Sequence, residues 1–537
     1  MTANNVFTIL AMNTTLNRRR YALLALATLA VGAAAPLTAR AEGELAAKID
    51  AVIDSEIYKH SKWGILVVDA DSGETVYARN PETLCFPASV TKLYSCAAAL
   101  VAYGPDYRFT TPVYRRGAVK EGTLSGDLIL VAQGDLTLGG RNDNNGGLAF
   151  KDHDHTYANW LNTNSELTDT DPLAGLTELA RQVYKAGIHR VDGDVLIDDR
   201  LFPRARGSGS GPDVLSPIVI NDNTLDVTIT PAAEPGQPAS ITVRPATDFI
   251  QVDARVETAA RGTAVTVSAE RVAPFRYTIR GHVPAGGKPV LRICPVDDPG
   301  SFARALFIRC LQNEGVTVTA SAFRPPTAEL PEKDAYSQLA RVASFSSPPL
   351  SELLKVTLKV SHNLYASTLP LLLAVQEGKH SLADGLRREG QILAKLGVDV
   401  PTISFESGAG GGNGDRVTAR TTVQLLRAMS KRPDFASYEA ALPVLGVDGT
   451  LADAVSSNSL ARGNVRAKTG TYGDADLLNN RMLLRSKAIA GYVTTETRRK
   501  LVFAIFVNDV PLARGANADR EGKALGQLCE ILYRNVR

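Results

Sequence analysis

Hydrophobic and polar positions change rhythm three times along this chain. Over 45–53 the apolar residues fall three and four apart, which predicts a helix. A short apolar run at 64–68, a polar turn at 69–74 and a β-prone run at 75–78 predict a hairpin. Leu93, Ala97, Leu100 and Val101 then restore helical spacing, and Gly104-Pro105 supplies a stop. Beyond that point the pattern breaks into short strands near 126–131, 193–198, 225–229, 239–243, 264–267 and 277–280, with one helix over 173–186. From Ser351 the helical spacing returns. Leu353, Leu354, Val356, Leu358, Val360 and Leu364 share one apolar pattern that breaks at Ser361-His362-Asn363. Helices over 381–396 and 421–429, strands over 465–471, 488–494 and 500–507, and a closing helix over 522–533 complete the reading.

Helices at both ends of the chain, with strands among them, point to an α+β domain whose antiparallel sheet is flanked by helices. The strand-rich middle reads as an insert of one or two mostly β domains over 112–343. Pro325-Pro326 and Pro348-Pro349 bracket its far boundary. The expected division is a leader at 1–41, the first part of the main domain at 42–111, the insert at 112–343, and the second part at 344–537.

Composition adjusts this picture in one place. The 537 residues are 44% hydrophobic and 21% charged, as in a soluble globular protein. Arg18-Arg19-Arg20, however, precede an apolar run from Tyr21 to Ala35, and Ala39-Arg40-Ala41 puts small residues at the −3 and −1 sites. The pattern predicts a secretory signal peptide cut after Ala41, with Met12 as an alternative start; an uncleaved anchor is the competing reading. Ala22 weakens a twin-arginine match, which favours the general export route. The leader holds four cations and no acid, so its removal takes the formal charge from +3 to −1. No basic stripe remains for nucleic acid. Five cysteines (Cys85, Cys96, Cys294, Cys310 and Cys529) form neither a disulfide scaffold nor a C-x-x-C metal pair, although one pair can oxidise after export.

Two polar stretches invite chemistry and are read conservatively. Asp152-His153-Asp154-His155 has no evident partner ligand, so a solvated loop is expected rather than a metal site. The glycine run at 407–414 lacks a G-K-[ST] ending, so a mobile loop is expected rather than a nucleotide cradle.

Three other motifs stand in order: Ser89-Val90-Thr91-Lys92, Ser361-His362-Asn363 and Lys468-Thr469-Gly470. A second S-x-N, Ser456-Ser457-Asn458, lies in a polar loop, whereas K-T-G occurs once, on a predicted strand. Ser89 is expected in the first turn of a helix with Lys92 one turn on, a nucleophile beside an amine. Lys92 can serve as base if burial and the second cation, Lys468, lower its pKa. Ser361 and Asn363 would relay the proton to a leaving amine, Lys468 and Thr469 would bind a substrate carboxylate, and the N–H groups of Ser89 and Thr471 would hold an oxyanion.

This set resembles that of penicillin-binding proteins and active-site serine β-lactamases. The spacing of 272 residues from Ser89 to Ser361 makes it similar to the class C low-molecular-mass penicillin-binding proteins, the D-Ala-D-Ala carboxypeptidase/endopeptidases. Stretches 104–111, 126–128, 134–135, 192–198 and 442–451 resemble that family too. The resemblance implies a β-lactamase/transpeptidase-like fold and a periplasmic serine peptidase acting through an acyl-enzyme on Ser89. It implies Lys92, Ser361, Asn363 and Lys468 as catalytic residues, with Lys468, Thr469, Gly470 and Thr471 binding substrate. Its implied partners are peptidoglycan stem peptides and, as covalent inhibitors, β-lactams; it calls for no metal or cofactor and allows peripheral membrane contact. Two positions depart from the family pattern. His362 replaces the usual Asp, and Asn413 stands where some members place an arginine for the substrate side chain. A serine β-lactamase is one rival, although no E-x-x-L-N segment supplies a deacylation base. A non-catalytic β-lactam- or wall-binding module is another, and it would not require Lys92 or Lys468.

Overall fold

A computed structural model of the protein describes residues 35–143, 145–160 and 164–536. The expected leader lies outside the described residues as far as position 34, and a helix, Ala35–Ile53, begins within it. Among the described residues no helix is long and apolar enough to cross a membrane.

A five-stranded antiparallel sheet organises the chain. Its middle strand, Lys500–Pro511, pairs with Arg481–Thr494 on one side and Lys62–Asp69 on the other; Val465–Asp476 and Thr75–Arg79 form the edges. The middle strand is buried on both faces. That is why its sequence reads as an unbroken apolar run rather than as an alternation.

One face of the sheet is covered by the first and last helices, Ala35–Ile53 and Asp519–Asn535. Leu45, Ile49, Leu525 and Leu528 pack there with Ile65, Val67, Phe503 and Ile505. The other face carries Lys92–Tyr103, Leu350–Lys359, Asn363–Gln376 and Ala419–Ser430, whose Leu93, Leu100, Leu354, Leu364 and Leu425 join Phe506 in a second core. Every residue from Lys92 to Leu100 is buried. Full burial contributes about 1.5–3 kcal/mol per large aliphatic side chain, so this helix is fixed along its length. It ends where Gly104, at φ 81°, donates to Leu100 O.

The middle of the chain forms its own core. Strands Thr110–Lys120 and Ala340–Ser346 pair antiparallel with Thr110 opposite Ser346, so the chain enters and leaves this unit side by side. Three sheets and the helices Ala174–Lys185 and Pro299–Asn313 enclose Val113, Leu128, Leu179, Val227, Ile279 and Phe302 in one cluster. The sheets are not purely antiparallel: Thr123–Val131 runs parallel to Val195–Asp198, and Gln251–Ala259 parallel to Arg276–Pro284. The strand expected at 264–267 begins instead at Ser268 and runs to Ala273. Helix Pro299–Asn313 is buried nearly all round, including Arg304, so it lacks the one-sided pattern that would have revealed it.

The acidic turns that stand out in the sequence hold this unit together. Asp127 accepts from Arg116 and from Asp194 N, while Asp194 pairs with buried Arg304 at 2.9 Å. Asp135 accepts from the N–H groups of Thr137 and Leu138.

Candidate active site

The segment before Ser89 is tied to the sheet. Asn508 Oδ1 accepts from Phe86 N at 2.8 Å, while Asn508 Nδ2 and Ser486 Oγ both donate to Phe86 O. The chain then turns through Ala88, whose φ of 46° is unusual for a residue with a Cβ. Ser89 lies in a short 3-10 turn, Ala88–Thr91, that leads into helix Lys92–Tyr103; it is not yet in the α-helix expected from the sequence.

Two glycines allow neighbouring backbone to close on this turn. A Cβ on Gly470 would stand 2.6 Å from Pro87 O, so the edge strand could not lie against the turn with any other residue there. A Cβ on Gly410, at φ +87°, would stand 1.9 Å from Ala88 O. The glycine run at 407–412 is therefore a packed wall rather than the expected mobile loop. Ser95 Oγ donates to Gly408 O, Ser407 and Ser208 share a hydroxyl bond of 2.6 Å, and Ser208 Oγ accepts from Gly411 N. Asn413 is exposed at the outer end of this run, and its carbonyl accepts from Arg416. The Arg416 guanidinium lies 5.4 Å from the Phe86 ring centre.

The three motifs meet at Lys92. Its Nζ is 2.8 Å from Ser89 Oγ, 2.8 Å from Asn363 Oδ1 and 2.9 Å from Ala409 O. Burial pushes the Lys92 ammonium down to about 7. With one proton removed, the amine still donates to Asn363 and Ala409 while its lone pair can accept from the Ser89 hydroxyl. Lys468, also fully buried, donates to Thr469 O at 2.8 Å. Burial and then the charge on Lys92 hold it well below the ordinary lysine range. Thr469 Oγ1 bonds Thr450 Oγ1 at 2.7 Å, and Thr471 Oγ1 accepts from Lys487. Strand Val465–Asp476 is an edge, so alternate N–H groups along it have no strand partner.

The apolar pattern read through 353–364, with its break at 361–363, is two helices, Leu350–Lys359 and Asn363–Gln376. The break carries Ser361 at φ 62° and His362 as the cap of the second helix. Asn363 Nδ2 donates to Ser210 O at 2.9 Å. Among the described residues, the Lys92 bonds run to Ser89, Asn363 and Ala409 and not to Ser361. The second S-x-N is not at the site: Ser456, Ser457 and Asn458 are all exposed.

Sequence reasoning missed Asn508 and Ser486, which lie in no motif and act through one amide and one hydroxyl, and it did not single out Ala409 within the glycine run. It also missed Ser208 and Ser210, because a Ser/Gly repeat reads as a linker. The expectation of a solvated Asp/His loop is corrected as well. Asp154 and His155 are buried, with Asp154 pairing with Arg141 and His155 bonding Asp222 and Asp226. Among the described residues no group of three His, Cys, Asp or Glu can hold a metal ion. All five cysteines are buried free thiols, and Cys85 Sγ fills the space beside Gly64 where a Cβ would come within 2.7 Å.

Comparison with known proteins places this geometry in context. A family model described as D-Ala-D-Ala carboxypeptidase 3 (S13) family matches residues 45–528. The chain is 30% identical over 473 residues to a D-alanyl-D-alanine carboxypeptidase of an Actinomadura species, covering 83% of this chain and 80% of that one. It is 25% identical over 471 residues to the D-alanyl-D-alanine carboxypeptidase DacB of Haemophilus influenzae, covering 83% and 85%. The crystal structure of penicillin binding protein 4 from the same organism superposes with a TM-score of 0.67 at 22% identity, covering 90% of this chain and 98% of that one. At that identity the likeness concerns the fold.

Proposed function

The chain belongs to the D-Ala-D-Ala carboxypeptidase 3 (S13) family, and from that premise we propose the role of each residue at the Ser89 site. The protein is a serine-type D-Ala-D-Ala carboxypeptidase, a hydrolase with the α+β fold of the penicillin-binding proteins. Ser89 is the nucleophile and Lys92 its base. The observation that carries this reading is the position of Lys92 Nζ, 2.8 Å from both Ser89 Oγ and Asn363 Oδ1.

The chemistry follows from that geometry. Neutral Lys92 takes the Ser89 proton as Oγ attacks the carbonyl between the two terminal D-Ala residues. The N–H groups of Ser89 and Thr471 hold the oxyanion. As the tetrahedral centre collapses, the proton passes through the Ser361 hydroxyl to the departing D-Ala amine while Asn363 holds Lys92 in place. Water then repeats the attack on the ester with Lys92 as base, releasing the shortened peptide and restoring Ser89. Lys468, Thr469 and Thr471 bind the terminal carboxylate, and Gly470 lets the strand carrying them reach the nucleophile.

Peptidoglycan stem peptides are the substrates, and β-lactams acylate the same serine. Cross-links ending in D-Ala present the same bond, so the enzyme is also a DD-endopeptidase. The leader at 1–41 sends it to the periplasm. We further read the chain as one acyl-transfer unit, 42–111 and 344–537, interrupted by the unit at 112–343; the pairing of Thr110 with Ser346 supports that division.

The test is release of D-Ala from a pentapeptide muropeptide and cleavage of a D-Ala cross-linked muropeptide dimer. Both activities are expected in the wild type and neither in Ser89→Ala; undiminished release by Ser89→Ala overturns the assignment.

A further inference from the structure

The polar segment 139–160 touches both walls of the site, yet the chemistry above makes no use of it. On the K-T-G side, Asp152 Oδ1 accepts from Gly449 N at 2.5 Å, one residue before the Thr450 hydroxyl that bonds Thr469. On the S-x-N side, the Tyr157 hydroxyl donates to the carbonyl of Ser361. That carbonyl belongs to a non-glycine residue held at φ 62°, a conformation that persists only where surrounding contacts enforce it.

Behind Ser361 the same segment enters a buried charge cluster. His155 Nδ1 lies 2.6 Å from Asp226 Oδ1 and its Nε2 lies 2.7 Å from Asp222 Oδ2. Only an imidazolium can donate to two carboxylates at once. Burial opposes that charge, but Asp226, Asp154 and Asp222 outweigh it and raise the His155 pKa to about 10. Arg141 bridges Asp154 at 2.8 Å and Asp222 at 2.7 Å, and the Tyr365 hydroxyl donates to Asp222. His362, the middle residue of S-x-N, completes the cluster. It stacks on the Tyr365 ring at 3.7 Å, faces Asp222 at 3.6 Å, and accepts from Tyr365 N through Nδ1. Burial holds its pKa below the ordinary value, so it sits neutral among Asp222, Asp154, Arg141, His155 and Tyr365.

We propose that Tyr157, His155 and Asp222 are positioning residues. Tyr157 clamps the left-handed Ser361 backbone, and Asp222, held by His155, faces the His362 ring; together they fix how Ser361 and Asn363 are presented to Lys92. This rests on the reading that Ser361 and Asn363 act with Lys92. It also accounts for the histidine that departs from the family pattern: a neutral ring stacked on Tyr365 fills a site where an aspartate would face Asp222 and Asp154 at close range.

The test compares Tyr157→Phe and Asp222→Asn with the wild type. Each preparation is first titrated with benzylpenicillin to count competent Ser89, and D-Ala release is then expressed per titrated site. Tyr157→Phe removes one hydroxyl and keeps the ring. Its kcat per titrated site is expected to fall about fivefold to tenfold, the scale of one lost hydrogen bond, with KM and the pH midpoint near 7 unmoved. Asp222→Asn is expected to lower kcat at least as far in its folded fraction; should it fail to fold, Tyr157→Phe decides. A merely structural role would reduce the titrated fraction or the melting temperature while leaving kcat per site intact, and that result overturns the proposal. A loss confined to KM overturns it as well. Absence of titratable sites in the wild type would instead remove the Ser89 reading itself.

Discussion

Replacing Lys92 with arginine keeps a cation at the heart of the site and removes the proposed base. With a pKa of about 7, Lys92 is neutral in about half of the molecules at pH 7, whereas a lysine at its ordinary value would be neutral in about one in 3,000. Burial therefore raises the population of the reactive form roughly a thousandfold at neutral pH. Arginine cannot deprotonate in a protein, and general-base catalysis is worth about 10²–10⁴ in rate. The assay is the second-order rate constant for acylation by benzylpenicillin between pH 5 and 9. Below pH 7 the wild type is expected to gain tenfold per pH unit, then level off. Lys92→Arg is expected to be slower by about 10²–10⁴ with no such limb. A wild-type profile that is flat across this range, or a limb that survives in Lys92→Arg, refutes the reasoning.

Other outcomes follow from the same geometry. Gly410→Ala would drive a Cβ to 1.9 Å from Ala88 O at φ +87°, so it is expected to abolish acylation and lower the melting temperature, as followed by circular dichroism. Asn508→Ala leaves the N–H of Phe86 without its side-chain partner; a loss of about 1–3 kcal/mol in urea unfolding is expected, together with slower acylation. The Lys92 pKa falls from 10.5 to about 7 on folding, so the unfolded chain holds more protons between those values and stability rises with pH across that window. The full penalty, on the order of 5 kcal/mol, applies below pH 7 and vanishes above 10.5. Measured against Lys92→Met, the wild type should gain relative stability from pH 7 to pH 10; a constant gap would contradict this.

The sequence carried the chemistry further than the architecture that supports it. Ser89, Lys92, Ser361, Asn363 and Lys468, the residues proposed for acyl transfer, stand in short motifs, and the structure brings Ser89, Lys92 and Asn363 into hydrogen-bond contact. The central strands were equally readable, since burial on both faces leaves a continuous apolar run. Other features left no local trace. Asn508 holds Phe86 from 422 positions away, and no pattern in either segment announces the other. The glycine run looked mobile because glycine is flexible in isolation; here its lack of a Cβ is what permits close packing against Ala88. Asp154 and His155 looked solvated because their partners, Arg141, Asp222 and Asp226, become neighbours only after the inserted unit folds. Helix Pro299–Asn313 was hidden because burial on all sides erases amphipathic spacing.

The central claim is that Ser89 carries the acyl group. Intact-mass measurement after incubation with benzylpenicillin, followed by peptide mapping, tests it most directly. One penicilloyl group per wild-type chain is expected, on the peptide that contains Ser89, with none on Ser89→Ala. A wild type that stays unmodified, or a Ser89→Ala protein that acquires the same adduct, would contradict the account.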